Sequence, residues 1–181
     1  MPRCFIALPT SNKIKSHLTE IQSQIHRLNP WLQVKWTDKQ NMHVTLEFLG
    51  DLSKSDLDIV KKVLSQTTDF PDFDYELKEI SAFPNIDMAR TIIVKIKDKE
   101  QIGFKLQNAI HEKLENILDN NRPWTPHLTL GRIKNSPQRL KIHDIKLNNL
   151  VWTVNEVILY QSELTPNGPI YSIIDQYLLN A

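Results

Sequence analysis

The sequence predicts an α+β fold in two matching halves that face each other across a cleft. Three observations lead there. Strand-like and helix-like stretches alternate along the 181 residues, and the order strand, helix, strand occurs once in each half. The closing strand of each round carries the same pattern, His43-Val44-Thr45-Leu46 in the first half and His127-Leu128-Thr129-Leu130 in the second. No linker-like or low-complexity segment separates the halves, so residues 1–181 are expected to form a single domain of two intertwined lobes.

Phe5-Ile6-Ala7-Leu8 reads as a short buried strand closed by Pro9. Ser11 or Asn12 can cap a helix whose Ile14, Leu18, Ile21, Ile25 and Leu28 fall on one stripe, and Asn29-Pro30 ends it. Val34 to Thr37 is a strand, and Asp38 to Asn41 a polar turn. The first motif strand, His43 to Leu49, is expected to end at Gly50-Asp51. Strict alternation puts Val44, Leu46 and Phe48 on its core face and His43, Thr45 and Glu47 on the other. Ser53 or Ser55 caps a second helix with Leu57, Val60, Val63 and Leu64 inward, and Phe73 to Phe83 is a strand that turns at Pro84-Asn85.

The second half repeats the plan. Thr91 to Lys97 is a strand rich in β-branched residues, and a helix comes next with Ile102, Leu106, Ile110, Leu114 and Ile117 on one side. Asp119-Asn120-Asn121 breaks it. Arg122-Pro123-Trp124-Thr125-Pro126 stiffens the approach to the second motif strand, where His127 and Thr129 share one face and Leu128 and Leu130 the other. Lys134 to Asn149 is polar and without clear periodicity. Val154 to Leu164 and Tyr171 to Leu179 are strands of a hairpin that turns at 166–169.

Composition narrows the class. Hydrophobic residues are 40% and charged residues 24%, as in ordinary globular chains, and no apolar run approaches the ~20 residues of a membrane span. The apolar N-terminal run is too short for a signal peptide, so the expected location is cytoplasmic, with no membrane partner. Cys4 is the only cysteine, which rules out an internal disulfide; it is expected to be a buried thiol. The net charge of +1 gives no global field toward nucleic acid. Arg132, Lys134, Arg139, Lys141, His143 and Lys146 could form a local basic patch or a solvated loop.

The paired motifs carry the chemistry. Positions i and i+2 on one strand face lie about 6.5–7 Å apart, so an imidazole and a hydroxyl can both address one tetrahedral anion. Threonine can donate to a phosphoryl oxygen, and histidine, with a reference pKa near 6.5, serves as acid or base. Two such pairs facing each other suit in-line displacement at phosphorus, with a base for the attacking water and an acid for the leaving alcohol. A metal site would want more ligands than one histidine per strand. Gly-x-Ser-x-Gly and phosphate-cradling Gly-rich loops are absent, so neither metal nor nucleotide cofactor is expected.

At these residues the chain resembles the 2H phosphoesterase superfamily, and most closely its RNA 2′,3′-cyclic phosphodiesterases, also known as 2′-5′ RNA ligases. His43 to Gly50 and Arg122 to Arg132 carry the likeness; Phe5 to Leu8, Ser162-Glu163-Leu164 and Gly168 to Tyr171 support it. The resemblance implies two pseudo-symmetric lobes, each a largely antiparallel β-sheet with outer helices, around a central active-site cleft. It implies metal-independent hydrolysis of an RNA terminal 2′,3′-cyclic phosphate to a 2′-phosphate, in RNA processing. His43 would be the proton donor to the leaving 3′-oxygen and His127 the proton acceptor. Thr45 and Thr129 would hold the phosphoryl oxygens. Arg132 could join them only if Gly131 bends or bulges the strand, since strict alternation puts it opposite His127. Expected partners are RNA 3′ ends or small cyclic-phosphate nucleotides, and the chain is expected to act as a monomer. Cleavage or joining of 2′-5′ linkages, or non-catalytic binding of RNA ends, are the alternatives. Trp124 stands where relatives often have Phe. Ile93 stands where an aromatic is common, so the chain departs from the family at a position that can stack a base.

Overall fold

The computed structural model describes residues 1–118, 123–134, 137–166 and 168–180. The expected break at 119–121, the Arg122 lead of the second motif and Asn167 of the hairpin turn lie outside them.

The described residues include nine strands and three α-helices. The strands are β1 (Arg3–Pro9), β2 (Val34–Trp36), β3 (His43–Asp51), β4 (Phe73–Phe83), β5 (Thr91–Asp98), β6 (His127–Ile133), β7 (Val151–Val154), β8 (Glu156–Thr165) and β9 (Gly168–Leu178). The helices are α1 (Asn12–Leu28), α2 (Lys54–Leu64) and α3 (Ile102–Leu114). Ser11 caps α1 by accepting from the Ile14 N–H, which satisfies one of the helix's free donors. Ser53 and Asp56 form a reciprocal capping box on α2. The stripes foreseen for α1 and α3 are buried through Ile25 and Leu114, and α3 stops there, with Ile117 packed against the core beyond its end. Gly103 lets α3 lie close on β4, since a Cβ there would stand 1.9 Å from the Tyr75 hydroxyl.

The strands form two sheets, both antiparallel throughout. One runs β3-β1-β8-β9 and the other β2-β6-β5-β4-β7. Each motif strand pairs with the strand that opens its own round, β3 with β1 and β6 with β5, as the repeated order implies. The sheets nevertheless do not divide the chain into halves. β8 and β9 return from the C-terminal region to flank β1, and β2 leaves the first half to cover β6. The expected strand from Val154 to Leu164 is really two. Val154 ends β7 beside β4 in one sheet, and Glu156 starts β8 in the other, with Asn155 as the crossing point. The hairpin's second strand begins at Gly168 rather than Tyr171.

Strict alternation fails in both motif strands, and at equivalent residues. Ala7 pairs with Thr45 and Ile6 with Glu47, so Leu46 is an extra residue in β3. Ile93 pairs with Thr129 and Ile92 with Gly131, so Leu130 is an extra residue in β6. Each bulge falls on the last position of His-x-Thr-x and flips the parity of the residues beyond it. Phe48 therefore stands on the same face as His43 and Thr45 and is 60% exposed, whereas Glu47 turns inward and is 7% exposed. The expected core position of Phe48 is thereby corrected. β3 also runs through Gly50 to Asp51, past a second bulge at Leu49.

Inward-facing Val44, Leu46, Leu128 and Leu130 join the helix stripes in one core cluster. Cys4 is buried among them. The polar stretch after β6 is tied to this core by Leu140, and by Asn29, whose side chain donates to the Lys141 carbonyl and accepts from its N–H.

Candidate active site

His43 and Thr45 on β3, and His127, Thr129 and Arg132 on β6, line one cavity of about 210 Å³ between the sheets. The Leu130 bulge supplies the bend on which Arg132 depended. Arg132 pairs with Thr91 on the cleft face, and its guanidinium lies 3.4 Å from the Thr91 hydroxyl. Gly131 is buried beneath β2, where a Cβ would come within 2.7 Å of Val34 Cγ1 and 3.2 Å of the Lys35 carbonyl oxygen.

The two histidines are held alike. Nδ1–H of His43 donates to the Asn41 carbonyl at 2.7 Å, and Nδ1–H of His127 donates to the Thr125 carbonyl at 2.7 Å. In each case the acceptor lies two residues upstream. A carbonyl can only accept, so both neutral rings carry hydrogen on Nδ1 and leave Nε2 bare. Nε2 of His43 is 3.1 Å from Thr45 Oγ1, whose hydroxyl donates to it. Nε2 of His127 has no such partner among the described residues.

Their surroundings differ. The His43 ring stacks on Phe5 at 4.9 Å and meets Tyr171 edge-on at 5.5 Å. Burial in this aromatic cage pushes its pKa down to about 4, outweighing the Asn41 carbonyl, and Lys15 and His127 add to the fall. Burial also lowers His127, with a further push from the Arg132 guanidinium. Phe83 meets His127 edge-on at 5.0 Å. Both imidazoles are thus neutral in the free protein near pH 7.

A second hollow of about 550 Å³ adjoins the first and shares Thr45, Phe48 and His127 with it. Phe83, Arg90 and Trp124 form its walls. Ile93 is fully buried and offers no stacking surface, whereas Phe48 and Trp124 do. At one side Glu47 accepts from Gln107 Nε2 at 2.5 Å and lies 2.8 Å from His111 Nδ1. Trp124 also links the two motifs, because its indole N–H donates to the Thr45 carbonyl at 2.9 Å.

Phe5, Phe48 and Tyr171 had no assigned place at the site. Phe48 was hidden by the bulge. Phe5 and Tyr171 reach His43 from β1 and β9, which only the sheet brings together. The basic residues after Arg132 do not gather at the cleft. Arg139 pairs with Asp87 at 3.3 Å, Lys141 sits over the Trp31 ring, and His143 lies beside Asp144. Among the described residues, no three His, Cys, Asp or Glu side chains converge to hold a metal ion, and no helix is long and apolar enough to cross a membrane.

A family model described as LigT like phosphoesterase matches residues 8–94 and 103–171. The chain is 30% identical to the RNA 2′,3′-cyclic phosphodiesterase of Methanocaldococcus jannaschii, over 97% of this chain and 99% of that one. Its fold matches a crystal structure of a Thermus thermophilus protein with a TM-score of 0.85 at 24% identity, covering 99% and 98% of the two chains. It also matches E. coli LigT complexed with 3′-AMP, with a TM-score of 0.81 at 19% identity, covering 99% of each chain.

Proposed function

The chain belongs to the LigT-like phosphoesterase family, and on that footing we propose that it opens RNA terminal 2′,3′-cyclic phosphates to 2′-phosphates by two-histidine acid/base catalysis. The observation that carries this reading is the pair of Nε2 atoms, both turned from the backbone toward one cavity that also holds two threonine hydroxyls and a guanidinium.

His127 suits the base. Its Nε2 is bare, and burial and Arg132 keep it neutral. It takes a proton from water as the water oxygen bonds to phosphorus. The bond from phosphorus to the 3′-oxygen breaks, and His43 gives that oxygen the proton on its Nε2. His43 must be charged to do so, although its cage disfavours charge. A bound phosphate anion favours the imidazolium by direct attraction, so His43 gains its proton together with the substrate. Thr45, Thr129 and Arg132 hold the non-bridging oxygens, and the aromatic hollow beside them takes the nucleoside. Each step uses groups of the chain itself, and no metal is required.

Replacing His43 or His127 with Ala is expected to lower turnover of a 2′,3′-cyclic nucleotide by about 10²–10⁴-fold with the fold intact, the usual size of one acid or base. Wild-type turnover is expected to persist in excess chelator. Substantial activity in both variants, or binding of cyclic-phosphate RNA by the wild type without product, would contradict the reading.

A further inference from the structure

Two cationic side chains, Lys35 and Arg132, line the cavity of the two histidines, where a cyclic phosphate offers a single reacting group. β2 is only three residues long, yet it sets Lys35 directly opposite Arg132, which is itself opposite Thr91. Residues paired across strands share a face, and neighbouring strands run about 4.8 Å apart. Thr91, Arg132 and Lys35 therefore stand in one row on the cleft side, and the Leu130 bulge puts them there. Lys35 and Arg132 both line the cavity of the two histidines. Neither forms an ion pair with a carboxylate among the described residues. Asp38 is the one acid among the residues lining that cavity.

Lys35 stands one strand further than Arg132 from β5, and its arm crosses toward the other sheet. Its Cε and Nζ lie 3.8 and 3.9 Å from where a Cβ on Gly168 would stand. The far wall is fixed by Asn41, whose side chain donates to the Pro169 carbonyl at 3.1 Å. Lys15 adds positive charge behind this wall, its ammonium donating to the Gln40 carbonyl at 3.3 Å. Lys35 is thus an exposed cation on the cavity wall beside Gly168, with Arg132 between its strand position and β5.

We propose that Lys35 binds the phosphodiester on the 5′ side of the terminal nucleotide, so that the site takes an RNA 3′ end of two or more nucleotides in preference to a free cyclic mononucleotide. The inference rests on the phosphodiesterase reading above. A polymer end differs from a cyclic mononucleotide by this second phosphate, which carries one negative charge. A lysine suits it, as a strongly hydrated point charge that needs no fixed bidentate geometry. Such a contact positions the strand and reads no base.

The test compares kcat/KM for 2′,3′-cyclic AMP and for the dinucleotide ApA ending in a 2′,3′-cyclic phosphate, in wild type, Lys35→Met and Lys35→Arg, across a salt series. The wild type is expected to favour the dinucleotide by about fivefold, the reach of one exposed charge contact. Lys35→Met should bring that ratio close to one, and Lys35→Arg should keep most of it. The salt slope for the dinucleotide should become shallower by about 0.7 in Lys35→Met, as for one lost phosphate contact on a single strand. No preference in the wild type would overturn the proposal. So would an equal loss on both substrates in Lys35→Met, which would assign Lys35 to the reacting phosphate. Failure of the wild type to turn over either substrate would overturn the phosphodiesterase reading itself.

Discussion

His43 and His127 share a backbone bond, a tautomer and a place in the motif, and what separates them is their cage. Burial holds the folded-state pKa of His43 at about 4, against about 6.5 for an exposed histidine. Between these values the unfolded chain binds a proton that the folded chain refuses, so stability rises with pH through that window. Stability is expected to fall by on the order of 3 kcal/mol as pH drops from 6.5 to 4, from this group alone, and to level off below. Urea unfolding at a series of pH values measures it, and His43→Asn should remove that part of the slope. At this scale the sequence is informative where chemistry is local. The histidines and threonines are legible because the same residue types recur at the same two-residue spacing in each half, a pattern that suits acid/base chemistry at phosphorus. The cage of Phe5 and Tyr171 is not legible, because it is assembled by strands far apart in sequence.

Among the elements, the two bulges do most to shape the site. A period of two cannot register an extra residue, so reading β3 and β6 by alternation goes wrong from Glu47 and Gly131 onward. The correct face for Phe48, Arg132 and Lys35 emerges only from the register against β1, β5 and β2. Gly131 is the one local sign, since a glycine after an apolar strand residue often marks a bulge or a close approach. Here it marks both. Gly131→Ala would drive a methyl into Val34 and the Lys35 carbonyl oxygen, and backbone cannot yield as a side-chain tip can. The expected cost is about 1–3 kcal/mol, as for other overpacked sites, with loss of activity through displaced Arg132 and β2. Thermal melts and initial rates check the two parts. The hairpin was legible as two long apolar stretches, but the change of sheet at Asn155 was not, because nothing in Val154 to Leu164 distinguishes one partner strand from another.

For the whole molecule, exchanged strands hold the two motifs in register. β2 leaves the first half to cover the second motif, and β8 and β9 return to complete the first sheet. The repeated order of strand, helix and motif strand made the two-sheet plan legible. The exchange was not, because non-local pairing leaves no periodic trace. Trp124 adds a direct tie, its indole N–H reaching the Thr45 carbonyl across the cleft. Trp124→Phe keeps an aromatic ring but removes that donor, and it is expected to destabilise by about 1 kcal/mol and lower kcat/KM several-fold. An unchanged melting temperature and rate would deny the tie any role. The central claim concerns which bond breaks and which histidine serves the leaving oxygen. Phosphorus NMR of the product from a cyclic-phosphate RNA dinucleotide, with chelator in excess, tests it most directly. The account predicts a 2′-phosphate from the wild type and its formation slowed by about 10²–10⁴-fold in His43→Ala; a 3′-phosphate, or undiminished product from that variant, would contradict it.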